Sequence, residues 1–220
     1  MDEIEYPLIS ALMLAQKRDH KINVPRAIEY FERQTYPYKE LIIINNCDSQ
    51  LEASGLSALA KPNIFYLDTP TKLSAGMAKN YGLSACNGQI IAQFDCDCFH
   101  AADRLMKQAI AMFKNSATVC VLTECYKYSY ISGHASMQCN NQNAILSSMV
   151  YVRPNGIDYA NIDKQEERSL MEKLIHSGYQ AISLPMPELM VKLVGEPTND
   201  ISINSSSLTD EQQIALKNLL

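Results

Sequence analysis

Between Pro7 and Phe94 the chain alternates short apolar segments with helical ones, and that order leaves few folds open. Pro7–Ala15, Glu40–Asn45, Ile64–Leu67 and Gln89–Phe94 read as strands. Pro7–Ala15 has little polar interruption, as a strand buried on both faces requires. The first intervening helix is expected to be capped by Asn23, with Pro25 in its first turn, and to end before Pro37. The second runs from Asp48 or Ser49 through Leu51, Leu56 and Leu59 to Pro62. The third spans Leu73–Cys86 and stops at Asn87-Gly88. Strand–helix alternation of this kind predicts an α/β fold, a mostly parallel central sheet with helices on both faces.

Further on, the pattern predicts a helix over Ala101–Phe113 and a strand over Thr118–Thr123. Cys125–Gln142 is polar and aromatic without a clear period, although Tyr126, Tyr128 and Tyr130 alternate like a strand or hairpin edge. Those rings either stack a ligand or bury one edge of a sheet. Asn143–Val152 reads as a strand, Lys164–Ser177 as a helix stopped by Gly178, and Gln180–Leu184 as a short strand. Residues 195–207 form a loop, and Thr209 with Gln212 makes a capping box for a terminal helix over Asp210–Leu220. Its Ile214, Leu216, Leu219 and Leu220 can pack on the domain or on a second subunit, as in a homodimer.

Bulk charge argues against tight non-specific nucleic-acid binding: 19 Lys and Arg face 24 Asp and Glu, for a net charge of −5. No segment reaches the ~18 apolar residues of a transmembrane helix. The acidic start Met1-Asp2-Glu3 is unlike a signal peptide, and the 7 scattered cysteines include no CxxC. A cytoplasmic location, or one peripheral to a membrane, is the expectation.

In an open parallel sheet, ligands bind beyond the carboxyl ends of the strands. Three such ends are polar here: Gln16-Lys17-Arg18-Asp19, Asn45-Asn46-Cys47-Asp48 and Asp95-Cys96-Asp97. Two carboxylates at i and i+2 after a buried strand can share one hard cation, which also takes phosphate oxygens. The alternative is a pair of solvated aspartates, one of them capping the helix near Ala101. Zinc is disfavoured at Cys96-Asp97-Cys98 because a structural site needs four ligands in paired spacings. His100 is the histidine nearest the aspartates and reads as a loop residue. On the helix from Lys164, positions 167, 170, 171, 174 and 175 share a face, so Glu167 opens the apolar stripe Leu170, Met171, Leu174 and Ile175. An inward carboxylate there is paired with a helix N-terminus or held for chemistry. Glu166 lies beside that stripe and is expected to be solvated or orienting.

These segments, in order, resemble family 2 glycosyltransferases. Pro7-Leu8-Ile9-Ser10, Gln34-Thr35-Tyr36-Pro37 and Glu40-Leu41-Ile42-Ile43-Ile44 are similar to the family's opening strand, helix and strand. Ser74-Ala75-Gly76-Met77-Ala78-Lys79-Asn80-Tyr81-Gly82 resembles its G-x-x-x-A-R-N-x-G helix. Asn87-Gly88-Gln89 through Asp95-Cys96-Asp97 resembles its D-x-D strand, and Glu166-Glu167 through Gly178-Tyr179 its E-D helix. The resemblance covers about residues 7–185.

It implies a GT-A fold and transfer of one sugar from a nucleotide-sugar donor to an acceptor hydroxyl, with inversion and with Mn or Mg. Residues 1–97 would form a nucleotide-sugar-binding half, residues 98–194 an acceptor-binding and catalytic half of the same domain, and residues 195–220 a loop and helix. Carried over by position, Glu167 would be the catalytic base and Asp97 the metal ligand. Ala15, Gln16, Arg18, Asn45, Asn46, Lys79 and Asp95 would contact the nucleotide-sugar. The acceptor, whether glycan, lipid-linked sugar, protein or modified base, stays open. Lys79 replaces the family's arginine and keeps charge without the bidentate fork. Asn45 and Asn46 replace an acidic pair, and Glu167 replaces a shorter aspartate. Without tryptophan the chain cannot carry a Q-x-x-R-W motif. A nucleotidyltransferase and a non-catalytic nucleotide-sugar or partner-binding module are the alternatives. The first is disfavoured by the lack of glycine in Gln16-Lys17-Arg18-Asp19.

Overall fold

The structure is a computed structural model that describes residues 6–16, 22–47, 61–139 and 144–195. The helix expected over residues 48–62, the loop at 195–207 and the terminal helix lie wholly or largely outside the described residues. The strands in chain order are β1 (Ile9–Ala15), β2 (Lys39–Asn45), β3 (Ile64–Asp68), β4 (Ile90–Gln93), β5 (Cys98–His100), β6 (Val119–Leu122), β7 (Glu124–Ser129), β8 (His134–Cys139), β9 (Ile145–Val152), β10 (Ala181–Leu184) and β11 (Met190–Val194). The helices are α1 (Asn23–Glu32), α2 (Ala75–Ala85), α3 (Arg104–Lys114) and α4 (Glu166–His176).

Seven strands form the central sheet in the order β10-β6-β9-β4-β1-β2-β3. It is mostly parallel, with β9 running antiparallel between β4 and β6. Strand periodicity divides the core. On one face Ala11 and Met13 pack with Val24, Ala27 and Phe31 of α1, and Ile9 packs with Leu105, Ala109 and Met112 of α3. On the other, Leu12, Ile42 and Ile44 meet Ala78 and Leu83 of α2 and Leu170 and Leu174 of α4. Helices on both faces are therefore found as expected.

Two glycines on α2 set these layers. At Gly82 a Cβ would lie 2.4 Å from Ile44 Cδ1, so any larger residue must push the buried Ile44 and Leu12 side chains aside for the helix to seat on β1 and β2. At Gly76 a Cβ would lie 1.8 Å from the Ala160 carbonyl oxygen. The bare backbone there donates Gly76 N–H to Ile162 O (3.0 Å) and draws the segment before α4 against α2.

A second sheet, β5-β11-β7-β8, was only half legible. The hairpin β7–β8 occupies the stretch without clear period, and Tyr126, Tyr128 and Tyr130 are buried in the core. β7 lies between β11 and β8, so these rings fill the core under an inner strand and offer no stacking platform. β5 and β11 are too short to announce themselves, and β5 displaces the start of α3 from Ala101 to Arg104. Asn23 does not cap α1. It is the first helical residue, and its Oδ1 accepts from Arg26 Nη2 (2.9 Å). Among the described residues no helix is long and apolar enough to cross a membrane.

Candidate active site

From β1 the chain builds β2 and β3 on one side, and β4 returns to the other side of β1. That reversal opens a crevice beyond the carboxyl ends of β1 and β4. A cleft of about 220 Å³ lies there, lined by Gln16 after β1, Asp95 and Asp97 after β4, Lys79 on α2, and Asp163, Glu166 and Glu167 at the entry to α4.

Lys79 is only 3 % exposed, although an ammonium is costly to bury alone. It donates to Glu166 Oε1 (2.9 Å) and to Glu167 Oε1, and its Nζ sits 5.6 Å from the Tyr159 ring centroid. Burial alone would lower its pKa, but the charges of Glu167, Asp95 and Glu166 outweigh burial and raise it. Burial would likewise raise Glu167, but Lys79 holds it below the usual carboxylate value. Asp95 goes the other way. Burial pushes it up to about 7, with Asp97 adding to the rise and Lys79 opposing it.

Neighbouring residues fix this arrangement. Asn80 exchanges hydrogen bonds with the Tyr159 backbone, Nδ2 to O at 3.0 Å and Tyr159 N to Oδ1 at 2.8 Å. The Tyr159 hydroxyl takes a bond from Gln93 Nε2 and pairs with Tyr151 (2.9 Å). Asp163 accepts from Ala75 N at the start of α2 (3.0 Å), which is where a helix N-terminus favours a carboxylate.

The cleft thus brings together Gln16, Lys79, Asp95, Asp97 and Glu167. Arg18 lies outside the described residues. Ala15, Asn45 and Asn46 sit at strand ends beside the cleft without lining it. Asn46 is committed to the chain itself, donating to Leu73 O (2.9 Å) and accepting from Leu73 N (2.9 Å) and Thr69 Oγ1 (3.1 Å). Asn45 Nδ2 donates to Asp68 Oδ1 (2.7 Å).

Glu166 is a correction. It is 7 % exposed, and the fully buried residues of α4 follow it at Leu170 and Leu174, whereas Ile175 is 44 % exposed. The buried face begins one residue earlier than the apolar pattern suggests, because Gln165, in the left-handed region at φ 65°, starts the helix at Glu166 and Lys79 holds that carboxylate inside. The i, i+4, i+8 relation of Glu166 to Leu170 and Leu174 carried the signal. Asp163 had no local signal, since its partner is 88 positions away.

Asp95, Asp97 and Cys98 each offer a ligand atom, all within 4.8 Å of one another. Burial and the charge of Asp97 push the Cys98 thiol well above its usual pKa, and its S–H donates to Asp97 Oδ1 (3.7 Å). A protonated thiol is a poor ligand for zinc, whereas two carboxylates suit a hard cation such as Mg or Mn. The residues fit such an ion through Asp95 and Asp97.

No curated protein matches the chain. Solved structures do. The S. aureus TarS 1–349 complex with UDP superposes with a TM-score of 0.67 at 12 % identity, covering 86 % of this chain and 61 % of that one. A mannosyltransferase, PcManGT from Pyrobaculum calidifontis, in complex with GDP-Man and Mn2+, gives 0.64 at 14 % identity, covering 90 % and 59 %. A longer TarS structure gives 0.67 at 12 %, with 85 % and 37 % covered. The chain therefore spans between 37 % and 61 % of these structures, less than two thirds of each, and at such identities they establish the GT-A fold. The model of "Glycosyl transferase family 2" matches residues 18–168, more than half of the chain. The chain belongs to glycosyl transferase family 2.

Proposed function

We propose that this chain transfers one sugar from a nucleotide-sugar to an acceptor hydroxyl by a single, inverting displacement that depends on a divalent cation. The observation that carries this reading is the convergence of Asp95, Asp97, Lys79 and the Glu166–Glu167 pair in one crevice at the switch point of the sheet. Family membership and the UDP and GDP-Man complexes of the neighbours support a nucleotide-sugar donor.

Cleft electrostatics support the cation. Five carboxylates line it with one lysine, and that lysine already faces two of them. Such a cleft repels a diphosphate and attracts a divalent ion. When bound by Asp95 and Asp97, the ion would supply charge compensation for the departing nucleoside diphosphate.

Glu167 is our candidate base. Its side chain is 19 % exposed against 9 % for Glu166, so it is the more open to an acceptor. Its low pKa keeps it ionised at neutral pH, the form that can take a proton. The acceptor oxygen bonds to the anomeric carbon as the bond to the diphosphate oxygen breaks. The hydroxyl proton passes to Glu167, and the electron pair leaves with the diphosphate. Lys79 fixes the carboxylate with one N–H donor and spends a second on Glu166. Asp97 and Asp95 hold the donor end, Gln16 flanks it, and Ala15, Asn45 and Asn46 lie at the strand ends where the nucleoside would extend. The buried thiols of Cys86, Cys98 and Cys120 fit a reducing compartment.

The test is a panel of nucleotide-sugars in thermal-shift assays with and without Mn2+, followed by product analysis. Release of free sugar and nucleoside diphosphate is expected. Release of pyrophosphate would identify a nucleotidyltransferase instead.

A further inference from the structure

Behind the Asp95–Asp97 turn lies a polar network that the chemistry above leaves unused. Arg104, in the first turn of α3, is wholly buried, and among the described residues no carboxylate pairs with it. A buried guanidinium must have its donors met by other acceptors. Here Nε donates to Gln108 Oε1 (3.0 Å), and Nη2 donates to the carbonyls of Gln93 (2.9 Å) and Ser148 (3.1 Å). Nη1 meets His100 Nδ1 at 2.7 Å.

Arginine has no acceptor, so that last contact fixes the imidazole: Nδ1 must accept. The proton is therefore on Nε2, which lies 3.0 Å from the Asp95 carbonyl oxygen and donates to it. Phe94 completes the clamp. Its ring lies 3.9 Å, centroid to centroid, from the His100 ring, and the Arg104 guanidinium sits 5.7 Å from its centroid. The Asp95 carbonyl also accepts from Cys98 N (3.3 Å), and Leu193 N donates to Asp97 O (2.9 Å). One guanidinium thus holds the end of β4 twice, directly at Gln93 and through His100 at Asp95.

We propose that His100 and Arg104 are positioning residues for the cation-binding turn, with Arg104 locking the Nε2–H tautomer of His100 so that His100 holds the Asp95 carbonyl and presents the Asp95 and Asp97 carboxylates together. This rests on the proposed cation use. Partners of this kind typically change metal affinity by about 10–100-fold when removed.

The test compares wild type with His100→Gln, His100→Asn and His100→Phe by Mn2+ titration and by amide hydrogen exchange of the folded proteins. Glutamine can accept from Arg104 and donate to Asp95, whereas asparagine is too short to do both and phenylalanine does neither. The expected result is near-native Mn2+ affinity for His100→Gln, and affinity about 10–100-fold weaker for the other two. Protection should be lost at the Cys98 and Leu193 amides while β1 and β2 stay protected. Equal affinity and protection in His100→Phe and wild type would overturn the proposal, as would a His100→Gln as poor as His100→Asn. If His100→Phe does not fold, the glutamine–asparagine comparison decides. Should wild type take up no Mn2+, the cation reading fails, and the exchange pattern alone judges the positioning role.

Discussion

Lys79 on α2 and Glu167 on α4 form a largely buried ion pair between residues 88 positions apart, and it joins the helix behind the donor-side strands to the helix of the candidate base. Glu166 shares the same ammonium, so neither glutamate can be changed without altering the other's surroundings.

Glu167→Gln keeps the shape of the side chain but cannot accept a proton. Turnover should fall by about 10²–10⁴-fold, roughly 3–5 kcal/mol of barrier, with donor affinity near wild type. Glu166→Gln should cost less in kcat. Steady-state rates with an accepted acceptor, alongside donor titrations, check this, and a larger kcat loss at Glu166 would transfer the role of base to it.

Lys79→Met should leave Glu166 and Glu167 facing Asp95 without a cation. Removing one partner of a buried ionic cluster costs about 3–5 kcal/mol. The carboxylates relieve part of that by taking up protons, so Glu167 should titrate higher in the variant than in wild type. Urea denaturation measures the first effect and the acidic limb of the pH–rate profile the second. Lys79→Arg should retain most of the stability.

Acid sensitivity follows from the same pair. Glu167 titrates in the folded chain below its ordinary value of 4.5. The unfolded chain therefore binds the proton first as pH falls, so this contribution is present above about 4.5 and is lost as pH drops through the folded value. Stability curves between pH 3 and pH 6 should be flatter for Glu167→Gln than for wild type.

Asp97→Asn should abolish Mn2+-dependent stabilisation by UDP or GDP. Ligand at ~100-fold over Kd adds about 2.7 kcal/mol to a protein that binds it. Thermal shifts with each nucleotide, with and without Mn2+, provide the measurement. An undiminished shift in the variant would remove Asp97 from the site.

Gly76→Ala tests the backbone contact that brings α4 to α2. The added Cβ meets a carbonyl oxygen, not a yielding side chain, so the cost should reach the upper part of the usual overpacking range of about 1–3 kcal/mol. The denaturation midpoint should fall, and cleft residues Asp163 and Glu166 should lose their contacts with α2.

Legibility followed the range of the forces involved. β1, β2 and β4 could be read because burial on both faces demands unbroken apolar runs such as Leu41 to Ile44. The D-x-D turn could be placed because a strand must end where its polar residues begin. Glu166 was misjudged because an apolar stripe says where hydrophobic residues point and nothing about a carboxylate whose burial depends on Lys79. In the second sheet β5 and β11 escaped because they pair across long separations, and a run such as Cys98-Phe99-His100 has no period of its own. Nothing in the sequence around Arg104 marks it for burial. Only the assembled carbonyls of Gln93 and Ser148 make it a buried residue.

The place of β11 has a consequence for biosynthesis. It lies between β5 and β7 and supplies the Leu193 amide that bonds Asp97 O, yet it is the last of the described strands to leave the ribosome. At ordinary elongation rates of roughly 5–20 residues per second, the aspartate turn waits several seconds for that partner. During the interval β5 and the inner side of β7 are open strand edges, available to any other extended chain. Completion of the site and protection of those edges are therefore one event, late in synthesis, and a nascent chain arrested before Met190 would carry both carboxylates of the turn without the strand that holds it.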